Sequence, residues 1–418
     1  MNILMPCALD VWSLAEGMGA PTLYRTLRAY GQRGHRVFVV SPSMGANRFG
    51  PAGHLPQGEG QPQIANVSFH TFHLPSLAEL PLRFPGLVAK ADQKLRFALL
   101  FPALAARQAE RILLTHTIDL LYAYEVHGVL TARLLRRRYR LPTVARFQGT
   151  VMHPALSSRL AYYRKYEEVL ALRTPADLYV MTDDGTRGDK VLARLNPASR
   201  GRVRFWRNGL DLDHLTPSSV AKRAAARRAL GLPADAFVMM TASRLALWKR
   251  VDRAVRALPH LLPRVPQALL LVLGDGEERA NLESLARDLG VADAVRFEGA
   301  VPQRDVVGYM RAADLFLALA DLSNVGNPLL EAMACGMAIL TLDVGDTADL
   351  VRDAETGCLL PAGDEPALVE AVARLAGDRE LRRRLGRAAR RHAKAHFWSW
   401  EERLAAEIEE VERLVGGA

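Results

Sequence analysis

Apolar residues along this chain gather into two kinds of stretch that alternate. One kind is a short run of three to seven residues bounded by Gly, Pro, Asn or Asp: 3–5, 37–41, 118–124 (IDLLYAY), the start of LPTVARFQGT, and DLYVMT. AFVMMTASRL, LLLVLGDGEE, VRFEGAVP, 315–320 and 338–342 continue the series later in the chain. Runs of that length without polar alternation read as buried strands of a parallel sheet covered on both faces. The other kind has helical spacing. It includes 23–30, closed by Gly31 and Gly34, a long segment holding Tyr162, Tyr163 and Tyr166, and 221–230, 365–376 and 379–396. Strand and helix in turn predict βαβ units and an α/β fold built on parallel sheets.

The stretch 313–344, ADLFLALADLSNVGNPLLEAMACGMAILTLDV, is the most legible unit. A strand over 315–320 leads into the turn formers Ser323, Asn324, Gly326 and Asn327. Asn327 is placed to cap a helix, Pro328 to be its first residue and Gly336 to end it. A second strand at 338–342 closes the βαβ unit, so the helix N-terminus lies at the carboxyl ends of the strands. Glu331 is expected to project from the first turn. A carboxylate there accepts two hydrogen bonds from a vicinal diol such as ribose, or merely complements the helix dipole.

Composition narrows the class. The 418 residues are 49% hydrophobic and 24% charged, which suits a soluble globular chain of two or three domains rather than a disordered one. Three cysteines, Cys7, Cys335 and Cys358, have no metal-site spacing and are too few for a disulfide framework, which points to a reducing cytoplasm. The start MNILMPCALDV carries Asp10 and no basic lead, unlike a secretory leader. The apolar run 97–106 is too short to span a bilayer. Net charge is +10 and uneven: residues 1–210 hold 28 Lys and Arg against 14 Asp and Glu, the remainder 27 against 31. A basic first half predicts an anionic partner, either a phospholipid surface, a phosphorylated acceptor or nucleic acid. Nucleic acid is disfavoured, because the charge lacks interleaved aromatics for base stacking. Lys90, Lys94, Arg96, Arg107 and Arg111, interleaved with Leu87, Leu95, Phe97, Leu100, Phe101 and Leu104, form a basic amphipathic segment suited to an anionic membrane or to packing on a sheet.

Several loops after predicted strands carry candidate chemistry. EGMGAP places Gly17 and Gly19 in a first βα turn, where backbone amides can approach a phosphate. Arg244 and Lys249 lie five residues apart after a strand, a spacing that can clamp a diphosphate, the guanidinium in a bidentate fashion and the ammonium as a point charge. Gly274-Asp275-Gly276 ends another strand. His392 and His396 stand four residues apart without an accompanying carboxylate motif and read as a solvated helix end. Asp211-Leu212-Asp213 spells a metal-nucleotide motif but sits in a linker, so no metal site is assigned.

NPLLEAMACGMAIL resembles the signature of the retaining GT-B glycosyltransferases of the large group 1 family, family GT4. In that family a Glu-x7-Glu pair precedes Ala-Met-Ala-x-Gly-x-Pro. The second glutamate matches Glu331 and the first falls at Ser323, so the pair is incomplete. Asn208-Gly209-Leu210-Asp211 is close to the family's Asn-Gly-Val-Asp, Gly274 and Gly276 match its Gly-x-Gly, and HFWSWEERL is similar to its closing Phe-Ser-Trp-Glu segment. The family's Gly-Gly turn falls at Gly17 and Met18 and its Gly-His at Gly34 and His35. Tyr124 stands where a family histidine reaches the donor sugar, with His127 three residues on, and Gln148 stands where the family often has His-Gly.

The resemblance implies a GT-B fold of two facing Rossmann-like domains with a central cleft. The first would span 1–207 and bind the acceptor, the second 208–397 and bind a nucleotide sugar, with a last helix at about 398–418 crossing back. It implies transfer of a sugar, with retention, from a nucleoside-diphosphate sugar, UDP-sugar favoured, to a glycan, lipid-linked or small-molecule hydroxyl in cell-envelope or polysaccharide biosynthesis. Arg244 and Lys249 would grip the diphosphate, and Glu331 the ribose. The backbone of Gly17, Gly19, Gly274, Gly276, Val301, Ser323, Gly326, Asn327, Leu329 and Leu330 would line the donor, and Tyr124, His127 and Gln148 would meet sugar or acceptor. No cofactor or metal is expected, because the two cations supply the charge a metal would. The expected location is the cytoplasm, with peripheral contact at the inner membrane face. A glycosyltransferase-like binding protein with lost activity and a nucleotide-sugar 2-epimerase are the alternatives.

Overall fold

The computed structural model describes residues 1–9, 21–43, 63–75, 92 and 94–417. Gly17 and Gly19 of the first βα turn, Met18 between them, and Leu87 and Lys90 of the basic segment lie outside the described residues. The chain divides into two compact units. The first comprises Met1–Asp183, Arg187–Asn208 and Trp400–Ala418, and the second Asp184–Thr186 and Gly209–Ser399.

The first unit is built on seven parallel strands: β1 (Asn2–Pro6), β2 (Arg36–Pro42), β3 (Val67–Phe72), β4 (Leu120–Tyr124), β5 (Thr143–Phe147), β6 (Leu178–Thr182) and β7 (Val203–Trp206). Their order is β3-β2-β1-β4-β5-β6-β7. Every residue of β4, β5 and β6 is buried, because helices cover both faces. Phe101, Ala105, Ala109 and Ile112 of the helix Phe101–Thr115 pack on one face. Leu23, Leu27 and Tyr30 of Pro21–Gln32, with Ile408 and Val411 of the closing helix Trp400–Gly416, pack on the other.

The segment expected to be one long helix through Tyr162 and Tyr166 is three: Met152–Ala155, Arg159–Arg164 and Tyr166–Leu172. Ser158 breaks it by taking an extended backbone and accepting from the Ala161 N–H as a cap. Lys165 breaks it again with φ −102° and ψ 25°.

The second unit holds six parallel strands: β8 (Phe237–Ala242), β9 (Ala268–Leu273), β10 (Val295–Gly299), β11 (Leu315–Ala318), β12 (Ala338–Leu342) and β13 (Cys358–Leu360), in the order β10-β9-β8-β11-β12-β13. Strand order reverses at β8 and β11, which pair directly through Leu315 and Met239. In an open α/β sheet a reversal of this kind opens a crevice at the carboxyl ends of the two strands, the usual place for a ligand. Among the described residues no helix is long and apolar enough to cross a membrane.

Candidate functional site

The loops leaving β8 and β11 carry the charged residues singled out by sequence. Past β8 the chain turns through exposed Arg244, buried Leu245 and Ala246, and a short 3-10 turn, Leu247–Lys249. Gly274 and Gly276 fix this loop's place. A Cβ on Gly274 would lie 1.9 Å from the Ser243 carbonyl oxygen, and one on Gly276 would lie 2.5 Å from that of Leu245. Leu245 N–H donates to the Asp275 carbonyl at 2.9 Å, and Glu278 N–H to that of Leu245 at 3.0 Å. The two glycines were expected to let a nucleotide approach the backbone. What they admit in this structure is the neighbouring loop, which they hold in the position that presents Arg244.

A second tie joins the loop to β11. Asp321 N–H donates to the Trp248 carbonyl at 3.0 Å. Its carboxylate pairs with Arg253 at 2.8 Å and Arg250 at 3.3 Å, and Arg253 also reaches the Leu319 carbonyl at 2.7 Å. Sequence reasoning passed over Arg250, Arg253 and Asp321, since the arginines and the aspartate lie about seventy positions apart. Half-buried Lys249 stands with its ammonium 4.1 Å from the Trp248 ring centroid. Burial pushes its pKa down to about 8, Asp184 opposing the fall and Arg244 adding to it. Lys249 thus stands largely out of water beside both Asp184 and Arg244, and an added anion would favour its charged form.

The helix after β11 runs Asn327–Ala334, one residue out of the expected register: Gly326 is the cap, Asn327 is the first helical residue and Pro328 the second. Glu331 is accordingly the fifth residue, in the second turn and not the first, and complementing the dipole at the N-terminus is not its role. The helix ends in a Schellman arrangement at Gly336, whose φ is +71°: Met337 N–H donates to Ala332 and Gly336 N–H to Met333.

Leu329 and Leu330 are buried in the core, and their N–H groups donate to the Gly326 carbonyl at 3.0 and 3.2 Å. Gly326 N–H donates to Asn324 at 2.9 Å, and Pro328 has no N–H. Three of the amides expected to face an anion are therefore bonded within the protein, and the attraction of this end for negative charge rests on the helix dipole.

Glu331 itself is 8% exposed, and its Oε1 accepts from Gln303 Nε2 at 3.0 Å. Ser323 is 5% exposed and donates to the Asp184 carbonyl at 2.6 Å while accepting from Val325 N–H at 3.0 Å. A Cβ on Gly185 would meet its Oγ at 2.3 Å, so a larger residue at 323 would displace the tripeptide Asp184–Thr186. Val301 packs half-buried beneath the same face of the sheet as Leu329 and Leu330.

The residues expected to meet a sugar or acceptor gather in the first unit, at the carboxyl ends of β4, β5 and β6. Tyr124 is buried and its hydroxyl accepts from Gln148 Nε2 at 2.5 Å, while Gln148 Oε1 accepts from Thr182 Oγ1 at 3.2 Å. Both side chains are thus engaged with one another. His127, half-buried, pairs with Glu167 at 3.0 Å. Between them Glu125, at φ +63°, accepts from Gln148 N–H at 2.6 Å. His392 and His396 stack on each other with centroids 4.3 Å apart, and among the described residues no group of three or more His, Cys, Asp or Glu is placed to hold a metal ion.

Comparison with known proteins places the chain among similar sequences and structures. Residues 222–392 match the family described as Glycosyl transferases group 1. A D-inositol 3-phosphate glycosyltransferase of Saccharomonospora viridis is 36% identical over 241 residues, covering 56% of this chain and 54% of the relative. A GDP-mannose-dependent monoacylated alpha-(1-6)-phosphatidylinositol monomannoside mannosyltransferase of Corynebacterium glutamicum is 32% identical over 201 residues, covering 46% of this chain and 52% of the relative. The chain thus spans about half the length of these curated relatives. Among solved structures, Anabaena Alr3699/HepE in complex with UDP-glucose aligns over 98% of this chain and all of its own, with a TM-score of 0.69 and 18% identity. That likeness establishes the two-domain α/β architecture, GT-B, for this chain.

Proposed function

We propose, from the premise that the second unit belongs to the group 1 glycosyl transferases, that the protein transfers a sugar from a nucleoside-diphosphate sugar to a hydroxyl acceptor. The observation that carries the reading is the pair of cations on the loop after β8, pinned beside the loop after β11 at the point where the strand order reverses. Departure of a nucleoside diphosphate builds negative charge on the leaving phosphate. The loop that carries Arg244 and Lys249 is tied down before the reaction, so the two cations stabilise that charge with little reorganisation. Glu331, buried one turn into the following helix, accepts from the ribose hydroxyls.

Retention of configuration follows in this reading from attack on the same face, the leaving phosphate helping to take the acceptor proton, and no protein base is named. UDP-glucose is the first donor to test, since HepE is described in complex with it, and GDP-mannose the second, since the Corynebacterium relative is named for that donor. The pathway expected is assembly of cell-envelope glycans or glycolipids, with the acceptor taken by the first unit.

The acceptor is proposed to be presented at an anionic membrane. Exposed Leu95, Leu99, Leu160, Tyr163 and Tyr166 of the first unit lie among exposed Lys94, Arg159, Arg164 and Lys165. Lys94 joins the two segments by donating to the Arg164 carbonyl at 3.0 Å. Basic side chains with leucine and tyrosine between them suit an anionic headgroup layer.

Thermal-shift measurements with UDP, UDP-glucose, GDP and GDP-mannose test the donor site. One of these is expected to raise the melting temperature and its sugar to be hydrolysed or transferred, and indifference to all four contradicts the reading. Sedimentation with phosphatidylglycerol vesicles tests the surface: a Leu160→Ser, Tyr163→Ser variant is expected to remain in the supernatant, and equal binding by the variant contradicts it.

A further inference from the structure

Gln303 opens the helix Gln303–Ala312 on the chain segment that follows β10. It reaches a different element, the helix Asn327–Ala334, to donate its side-chain amide to Glu331. We propose that Gln303 is a positioning residue for the nucleotide ribose, setting the plane of the Glu331 carboxylate so that it accepts from the 2′ and 3′ hydroxyls together. This rests on the reading of Glu331 as the ribose acceptor.

The argument starts from torsional freedom. The neighbours of Glu331, Leu329, Leu330, Ala332 and Met333, are buried, so its Cα has little room to move. Its final torsion is of the broad, two-fold kind, so hydrogen bonds to its oxygens set the carboxylate plane, and Gln303 supplies one of them at Oε1. A vicinal diol needs both oxygens of the carboxylate in one orientation, so loss of that orientation is loss of the diol contact.

The chemistry of the partner also fits. A buried carboxylate requires hydrogen bonds, and a lysine or arginine would supply them while cancelling its charge. A neutral amide takes one of roughly four acceptor positions without itself cancelling the charge that strengthens bonds to hydroxyls.

The test compares UDP with 2′-deoxy-UDP, and GDP with 2′-deoxy-GDP, by calorimetric titration of the full chain. The wild type is expected to favour the ribose form of the nucleotide it binds by about tenfold, the worth of a charge-assisted hydrogen bond. Gln303→Met, similar in length and at a half-exposed helix start, is expected to keep the melting temperature. It should reduce the preference to about twofold and weaken the deoxy form hardly at all. Gln303→Glu, of the same shape but bringing a second carboxylate against the first, should weaken the ribose form further. A Gln303→Met protein that keeps the full preference, or that weakens both forms equally, overturns the positioning role. A wild type with no ribose preference overturns the ribose reading as well. A preference lost in Glu331→Ala but untouched in Gln303→Met overturns the positioning role alone.

Discussion

In the first unit Arg146 and Arg403 lie almost wholly buried around Glu407, whereas in the second Arg244 and Lys249 share one loop at the surface. Glu407 is 3.0 Å from Arg403 and 3.7 Å from Arg146, and the Tyr122 hydroxyl donates to its other oxygen. Arg146 also donates to the Phe147 carbonyl at 2.6 Å and to Thr182 at 2.8 Å, and Arg403 to the Arg207 carbonyl at 3.0 Å. Burial alone would push the Glu407 carboxyl up, but Arg403 and Arg146 outweigh it and hold the group below its usual range. In the second unit burial prevails instead: it lowers Lys249, with Asp184 opposing the fall and Arg244 adding to it. The difference teaches that a buried arginine ringed by its own partners belongs to the fold. Cations crowded together where they gain from an added anion belong to function.

The comparison is broken most severely at Glu407. Glu407→Ala strands two guanidinium groups in the interior and is expected to cost about 3–5 kcal/mol, read as a large fall in urea midpoint. A variant as stable as the wild type would show that the cluster does not hold the closing helix. The sign of the pH dependence follows from the depressed carboxyl: the stabilisation is present above the unfolded value near 4.3 and is lost as the pH falls through the lower folded value.

Arg244→Ala and Lys249→Ala act on chemistry instead. Each is expected to lower transfer by about 10²–10³-fold with the urea midpoint unchanged. Full activity in either variant removes the diphosphate role. Glu331→Ala is milder, weakening nucleoside diphosphate binding about tenfold through the lost ribose contacts. An unchanged dissociation constant removes it from the site.

The smallest effect is a pH dependence. A diphosphate favours protonated Lys249, so affinity should be level below about pH 8 and fall above it by up to about tenfold per unit as the free protein loses that proton. Lys249→Arg, which stays charged, is expected to flatten the curve. A wild-type curve level to pH 9.5 would contradict the assignment.

Much of this was legible in the chain and some was hidden for definable reasons. The unit from Leu315 to Leu342 could be read because its signals are local: an apolar run, a proline at a helix start, a glycine at its end. Gln303 could not, since an amide at a helix start has no pattern and its partner lies 28 residues away. Arg403 and Glu407 look in sequence like a solvated pair one turn apart. Their burial depends on Tyr122 and Arg146, more than 250 positions earlier, and on which face of the last helix meets the sheet. Gly274 and Gly276 announced a close approach, but not that the approaching group was the Ser243–Leu245 backbone.

The central claim is that the loop after β8 binds a diphosphate through its two cations. Calorimetric titration of UDP and GDP into the Arg244→Ala, Lys249→Ala double variant tests it most directly. The account predicts that the nucleotide bound by the wild type is held at least about 100-fold more weakly by a variant that melts at the same temperature. Binding of equal strength in the two proteins would contradict it.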